Sequence, residues 1–166
     1  MPQGRQLLSG HLPAAAKVLT PLGRLPEESR LALAISLPLR NPDQLAARLR
    51  QIYDPASPLF RHYLTPEEFT EMFGPTKEDY ESLAAFARNS GLEVTATHPN
   101  RTLLDVRGSV ADIQKALHLR INRYQHPTEN RGFFAPDQEP SLDLAVPVLH
   151  IAGLDDFHRP SALSHA

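Results

Sequence analysis

Residues 91–125 read GLEVTATHPNRTLLDVRGSVADIQKALHLRINRYQ, and this stretch decides the fold class. Leu92, Val94 and Ala96 alternate with polar residues, which is the period of a strand with one buried face. His98-Pro99-Asn100-Arg101 marks a turn. Thr102, Leu104 and Val106 then alternate back, so the two runs form a hairpin. Ser109 followed by Asp112 has the form of a capping box with Asp in place of Glu, and Val110, Ile113 and Leu117 share one helical face. Leu119 and Ile121 alternate with Arg120, Asn122 and Tyr124, which predicts a further strand.

Upstream, Leu31, Leu33, Ile35 and Leu37 alternate with small residues and Pro38 as another half-buried strand. Asn41 is read as a helix cap with Pro42 at the first position, and Leu45, Leu49, Ile52 and Tyr53 form one apolar stripe. Asp54-Pro55-Ala56-Ser57-Pro58 ends that helix. Thr65-Pro66-Glu67-Glu68 starts a short one carrying Phe69, Met72 and Phe73, closed by Gly74-Pro75. From Thr76 a third helix sets Tyr80, Leu83, Ala84 and Ala87 on one side, and Asn89-Ser90-Gly91 ends it. Strand, helices, strand, strand, helix, strand is the order of the split βαβ in a ferredoxin-like α+β sandwich: an antiparallel sheet with its helices on one face. Residues 1–28 hold four of the sixteen prolines and no sustained period, and are read as an extended leader. Residues 29–154 form the domain, and 155–166, without period and rich in small and polar residues, form a linker-like mobile tail.

The chain has 166 residues, enough for one core without staples, and no cysteine, which excludes thiolate chemistry and Cys-based zinc sites. Net charge is −2 with His neutral, so no basic field draws in nucleic acid or anionic membrane. No apolar run reaches bilayer length, and the N-terminal stretch lacks the unbroken apolar run of a Sec signal peptide. Eight histidines and 19 carboxylates make the charge steep in acid: near pH 4 it rises to roughly +16. Self-repulsion of that size loosens a compact state or a charged interface.

Three segments resemble one family. Residues 54–69, DPASPLFRHYLTPEEF, are similar to the DPxSPxYxxYLTxEEF stretch of sedolisin/kumamolisin-type prodomains, and Phe73-Gly74-Pro75-Thr76 stands where that family continues F-A-P-S. Arg131-Gly132-Phe133-Phe134-Ala135-Pro136 and the run from Val148 to Asp156, VLHIAGLDD, resemble the family's end region. Arg61-His62 replaces the family's common Gly-Lys. The resemblance implies an activation domain that helps an acid serine-carboxyl peptidase fold, covers it, and runs its linker through the active-site cleft until acid triggers cleavage. It implies a Ser–Glu–Asp catalytic set, an oxyanion-hole Asp and a calcium site in the peptidase, and none of these in the prodomain. No Gly-Thr-Ser nucleophile motif occurs in this sequence. The expectation is a regulator of catalysis without cofactor, whose partner is a cognate catalytic domain in cis or in trans and which is secreted with it. A free-standing inhibitor acting in trans is the alternative.

A sheet with helices on one face leaves the other free, and alternation places Ala32, Ala34, Ser36, Leu103, Asp105, Arg107, Arg120, Asn122 and Tyr124 there. Small residues permit close approach, and Leu103 and Tyr124 supply apolar anchors, so this face is the candidate docking surface. A merely solvated face has the same composition. Phe157, His158 and Arg159 mark the candidate cleavage region. His62, His118 and His126 flank predicted elements and are the candidate acid switches, with interface carboxylates as the simpler account. Arg131-Gly132-Phe133-Phe134 only superficially echoes an RNA-recognition signature, which wants Gly or Ala fourth. His and acidic residues show no HExxH or His-x₃-His spacing, and His158, His165 and Asp155-Asp156 have nothing to fix them as metal ligands.

Overall fold

The computed structural model describes residues 4–159. Its elements run β1 (Gln6–Leu7), α1 (Ala14–Val18), β2 (Gly23–Arg24), β3 (Arg30–Ser36), α2 (Pro42–Tyr53), α3 (Pro66–Phe73), α4 (Lys77–Asn89), β4 (Glu93–Thr97), β5 (Leu103–Ser109), α5 (Val110–Leu117), β6 (Ile121–Gln125), β7 (Gly132–Pro136), β8 (Ser141–Leu142) and β9 (His150–Ala152). The principal sheet is antiparallel in the order β4-β5-β3-β9. Its inner face carries Leu33, Ile35, Leu104, Val106 and Ile151, all nearly inaccessible to solvent. These pack in one core with Tyr80, Leu83, Ala84 and Ala87 of α4 and Val110, Ile113 and Leu117 of α5. The result is a ferredoxin-like α+β arrangement, as the alternation and the helical faces predict.

Helix starts follow local cap chemistry. Thr65 and Glu68 form a full capping box: the Thr65 hydroxyl accepts from the Glu68 N–H at 3.2 Å, and the Thr65 N–H donates to Glu68 Oε2 at 2.9 Å. Thr76 caps α4 through the Asp79 N–H, and Ser109 caps α5 through the Asp112 N–H. Gly91 takes the left-handed conformation past α4 (φ 82°). Asn41 departs from the sequence expectation. It is itself left-handed (φ 53°) and makes no side-chain cap, and its amide instead donates to the Met72 carbonyl at 3.1 Å. Of the α2 stripe only Ile52 is buried, and Leu49 and Tyr53 face solvent.

The fourth strand needs correction. β6 exists where alternation placed it, but it does not join the principal sheet. It lies at the centre of a second antiparallel sheet in the order β2-β6-β7. A strand has two edges, and both edges of β6 are filled, one by the leader strand β2 and the other by β7. The place beside β3 is taken by β9, with Ala34, Ile35 and Ser36 opposite Ala152, Ile151 and His150. The leader is thus part of the fold. β1 pairs with β8, Leu8 enters the main core, and Ala15, Ala16 and Leu19 pack on Tyr124, Phe133 and Ala135.

Candidate docking surface and tail anchor

The strict register of β3 on β5 sets the free face of the principal sheet. Ala32 lies opposite Arg107, Ala34 opposite Asp105 and Ser36 opposite Leu103, with Ala152 on the other flank of Ala34. None of these six β3 and β5 side chains enters the core, whose residues from the two strands are the intervening ones. The centre of the face is therefore alanine, which lets a partner's backbone approach closely. The border is polar. Arg107 pairs in register with Glu93, and His98 Nε2 lies 2.8 Å from Asp105 Oδ2. Beneath this border the buried Tyr80 hydroxyl donates to the Leu103 carbonyl at 2.6 Å and accepts from the His98 N–H at 3.1 Å. Burial raises the Tyr80 phenol above its ordinary value, so it remains a donor.

Arg120, Asn122 and Tyr124 do not share this face. They belong to the segment entering β6 and to β6 itself, in the second sheet. Arg120 is exposed, with its backbone N–H on Asp137. Asn122 is half-buried, opposite Ala135 and Arg24. Tyr124 is 3% exposed and stacks on Phe133 at 5.2 Å, so it is not an accessible anchor. The cause is the leader: α1 and Leu19, together with Phe157, cover the side of β6 that alternation alone left open.

The tail is fastened through residue 159. The Arg131 guanidinium donates from Nη1 to the Asp156 carbonyl (3.0 Å) and from Nη2 to the Phe157 carbonyl (2.6 Å), while its Nε pairs with Glu129. That ion pair holds the exposed Glu129 carboxyl below its ordinary value. Asp156 meets the outer edge of β7, accepting the Phe134 N–H at 2.7 Å and donating its own N–H to the Phe134 carbonyl at 3.2 Å. Phe157 stacks on His126 (4.6 Å) and meets Phe133 edge-on (5.0 Å). Of the candidate cleavage residues, Phe157 is thus half-buried, whereas His158 and Arg159 are exposed, with Arg159 on Asp156 at 2.8 Å. The mobile tail expected from residue 155 is a fixed segment as far as Arg159, and its remainder, residues 160–166 with His165, lies outside the described residues.

The candidate histidines are scattered. His62 is exposed on the α2–α3 loop. His118 ends α5 in a left-handed conformation, with Nε2 2.9 Å from Asp143. Asp143 is held below its ordinary value by hydrogen bonds from Arg5 and then His118. His126 is buried, and its Nδ1 accepts the backbone N–H groups of Thr128 (3.2 Å) and Glu129 (3.0 Å). Sequence reasoning missed His11, buried beneath the leader, because the leader carries no period. It also missed the link of His98 to Asp105, although their positions around the hairpin turn were visible. Among the described residues no three His, Asp or Glu side chains gather as metal ligands do, and no helix is long and apolar enough to cross a membrane.

The same domain recurs in known proteins. The family model for the pro-kumamolisin activation domain matches residues 18–157. Xanthomonalisin of Xanthomonas sp. (strain T-22) is 33% identical over 138 residues, covering 81% of this chain but 16% of that protein. Physarolisin of Physarum polycephalum is 30% identical over 143 residues, 81% of this chain and 24% of that one. Kumamolisin of Bacillus sp. (strain MN-32) is 23% identical over 161 residues, 97% of this chain and 29% of its own length. The chain thus spans under a third of each of these relatives, and what it matches is a propeptide region, not a catalytic domain. This chain belongs to the pro-kumamolisin activation domain family, the prodomain of sedolisin-family peptidases.

Proposed function

We propose that this domain covers a sedolisin-type catalytic domain, in cis or in trans, assists its folding, and holds it inactive until acidification. The observation that carries this reading is the free alanine-centred face of β3, β5 and β9, on a domain of the activation family. Ala32, Ala34 and Ala152 set the depth of approach, Leu103 is the apolar anchor, and Asp105, His98, Arg107 and Glu93 supply the charged border. The chain's net charge rises steeply in acid, so a partner complementary to the domain near neutral pH loses its electrostatic match. The anchored segment 155–159 fixes where the chain leaves the domain, which favours a cleavage point beyond Phe157. The domain itself needs no cofactor. Calcium belongs to the catalytic partner, and the pair acts outside the cell.

Titration of a sedolisin-type acid peptidase with the purified chain, from about pH 3 to about pH 7, tests the reading. Inhibition near neutral pH that disappears in acid is expected. Leu103→Asp should weaken inhibition about tenfold or more, because it buries a charge at the anchor. Inhibition equal to wild type by a folded Leu103→Asp would remove the sheet-face assignment. Failure of the wild type against its own peptidase at every pH would remove the function.

A further inference from the structure

Residues 5–11 form a strap across the segment that leads into β9. The Gln6 side-chain amide donates to the Leu144 and Val146 carbonyls (2.7 Å each), and its oxygen accepts the Val148 N–H at 3.0 Å. Leu8 fills a place in the core, and its N–H donates to the Pro140 carbonyl at 2.9 Å. The strap ends at His11, whose side chain is almost wholly buried between Glu139 and β9. The backbone N–H groups of Gly10 and His11 donate to the Glu139 carboxylate. The His11 ring stacks on that of His150 with centroids 4.5 Å apart and planes 18° from parallel. Its Nε2 accepts the Ile151 N–H at 3.1 Å, a buried bond between residues 140 apart in sequence.

This geometry fixes the protonation state. A nitrogen that accepts a backbone N–H carries no proton of its own, so the ring proton of His11 resides on Nδ1. Nδ1 lies 3.3 Å from Glu139 Oε2, close enough for a charge contact but without the alignment of a hydrogen bond. A second proton has Nε2 as its only destination, where it turns acceptor into donor and sets N–H against the Ile151 N–H. The titratable groups facing the ring are Glu139, which favours the cation, and His150, which opposes it. Burial and then His150 outweigh Glu139 and hold His11 below the ordinary imidazole range.

We propose that His11, stacked on His150 and accepting from Ile151, is an acid-labile latch: protonation at Nε2 expels the ring and frees residues 5–11 from β8 and β9. The sign follows from linkage. The released ring takes a proton at its ordinary value near 6.5, and the seated ring only at a lower pH. The latch is therefore fully effective above about pH 6.5, and its hold declines as pH falls from there through the lowered value. The device is internal to this chain and needs no partner, so it stands apart from peptidase inhibition.

Amide exchange and ring-nitrogen spectra of the full chain test it. Near neutral pH the His11 ring should show the Nδ1–H tautomer. Between about pH 7 and about pH 5, Leu8 and Ile151 should lose about tenfold or more of their protection, corrected for intrinsic exchange, while Leu104 and Val106 change by less than about twofold. His11→Gln retains an acceptor that does not titrate, so its strap should stay protected through the same range. His150→Ala removes the opposing charge, which brings the seated value closer to the released one and should make the opening less dependent on pH. Leu8 and Ile151 remaining protected in wild type while His11 is protonated would overturn the latch, as would His11→Gln opening at the wild-type pH. The wild-type spectra decide the matter even if His11→Gln fails to fold.

Discussion

Gly153 shows how much depends on one missing methyl group. It follows β9 with φ 102°, and a Cβ there runs into the Ala32 carbonyl of the neighbouring strand and presses on Leu33. Gly10 is also left-handed (φ 85°), but a Cβ there meets nothing within 4 Å. Gly153→Ala should therefore cost about 2–4 kcal/mol of stability, combining backbone strain with displacement of β9 from β3. Gly10→Ala should cost about 1 kcal/mol from strain alone. Paired urea titrations measure the difference, and equal losses would mean that β9 accommodates the methyl without moving. At this scale the sequence was readable where the chemistry is local. The caps at Thr65, Thr76 and Ser109 and the left-handed Gly91 each involve neighbours within a few residues. Asn41 shows the limit: a residue of the right type was drawn away by the Met72 carbonyl, about thirty positions on, which no local pattern reveals.

The elements repeat that lesson in longer form. Period alone marks β3, β5, α4 and α5, because each buries one face against the others, whereas β4 keeps the expected alternation only as far as Val94, after which a register shift leaves Ala96 exposed opposite Asp105. It does not say which edge a strand finds, and β6 pairs with β2 and β7 instead of β3. Nor does it say whether an apolar stripe is covered: of the α2 stripe Ile52 is buried, while Leu49 and Tyr53 face solvent. Six of the nine residues expected on the candidate face lie there for the same reason. Ala34, Ser36, Leu103, Asp105 and Arg107 followed from alternation on paired strands, whereas Tyr124 was hidden by a leader helix that has no period to announce it. The tail anchor is an element-scale structure built on Arg131, whose fork meets two consecutive carbonyls. Arg131→Ala should raise cleavage by an added protease within residues 155–159 about tenfold, and change global stability by no more than about 1–2 kcal/mol. Arg131→Lys should not restore protection, because an ammonium is a point charge without the planar fork. Unchanged cleavage in Arg131→Ala would assign the hold to Phe157 and Asp156 alone.

On the scale of the whole molecule, the family match begins at residue 18, yet the core draws on residues before it. Leu8 is 7% exposed, and burying one leucine contributes about 2 kcal/mol. Gln6 adds three hydrogen bonds to the segment entering β9, and His11 adds one to β9 itself. A chain beginning at residue 13 keeps α1 over Tyr124 and loses only the strap. It should retain the fold and lose about 2 kcal/mol at neutral pH, read from denaturant midpoints at constant slope. The latch makes this cost depend on pH. Above about pH 6.5 the His11 ring is seated and the strap contributes in full, while in progressively stronger acid the intact chain has already forfeited much of that contribution. The stability gap between intact and shortened chains should therefore narrow as pH falls from about 7 to about 5, even though both become less stable as positive charge accumulates. Self-repulsion acts on both chains nearly alike and cancels in the comparison, so a gap of constant width would mean that Leu8 and Gln6 hold the strap without help from His11.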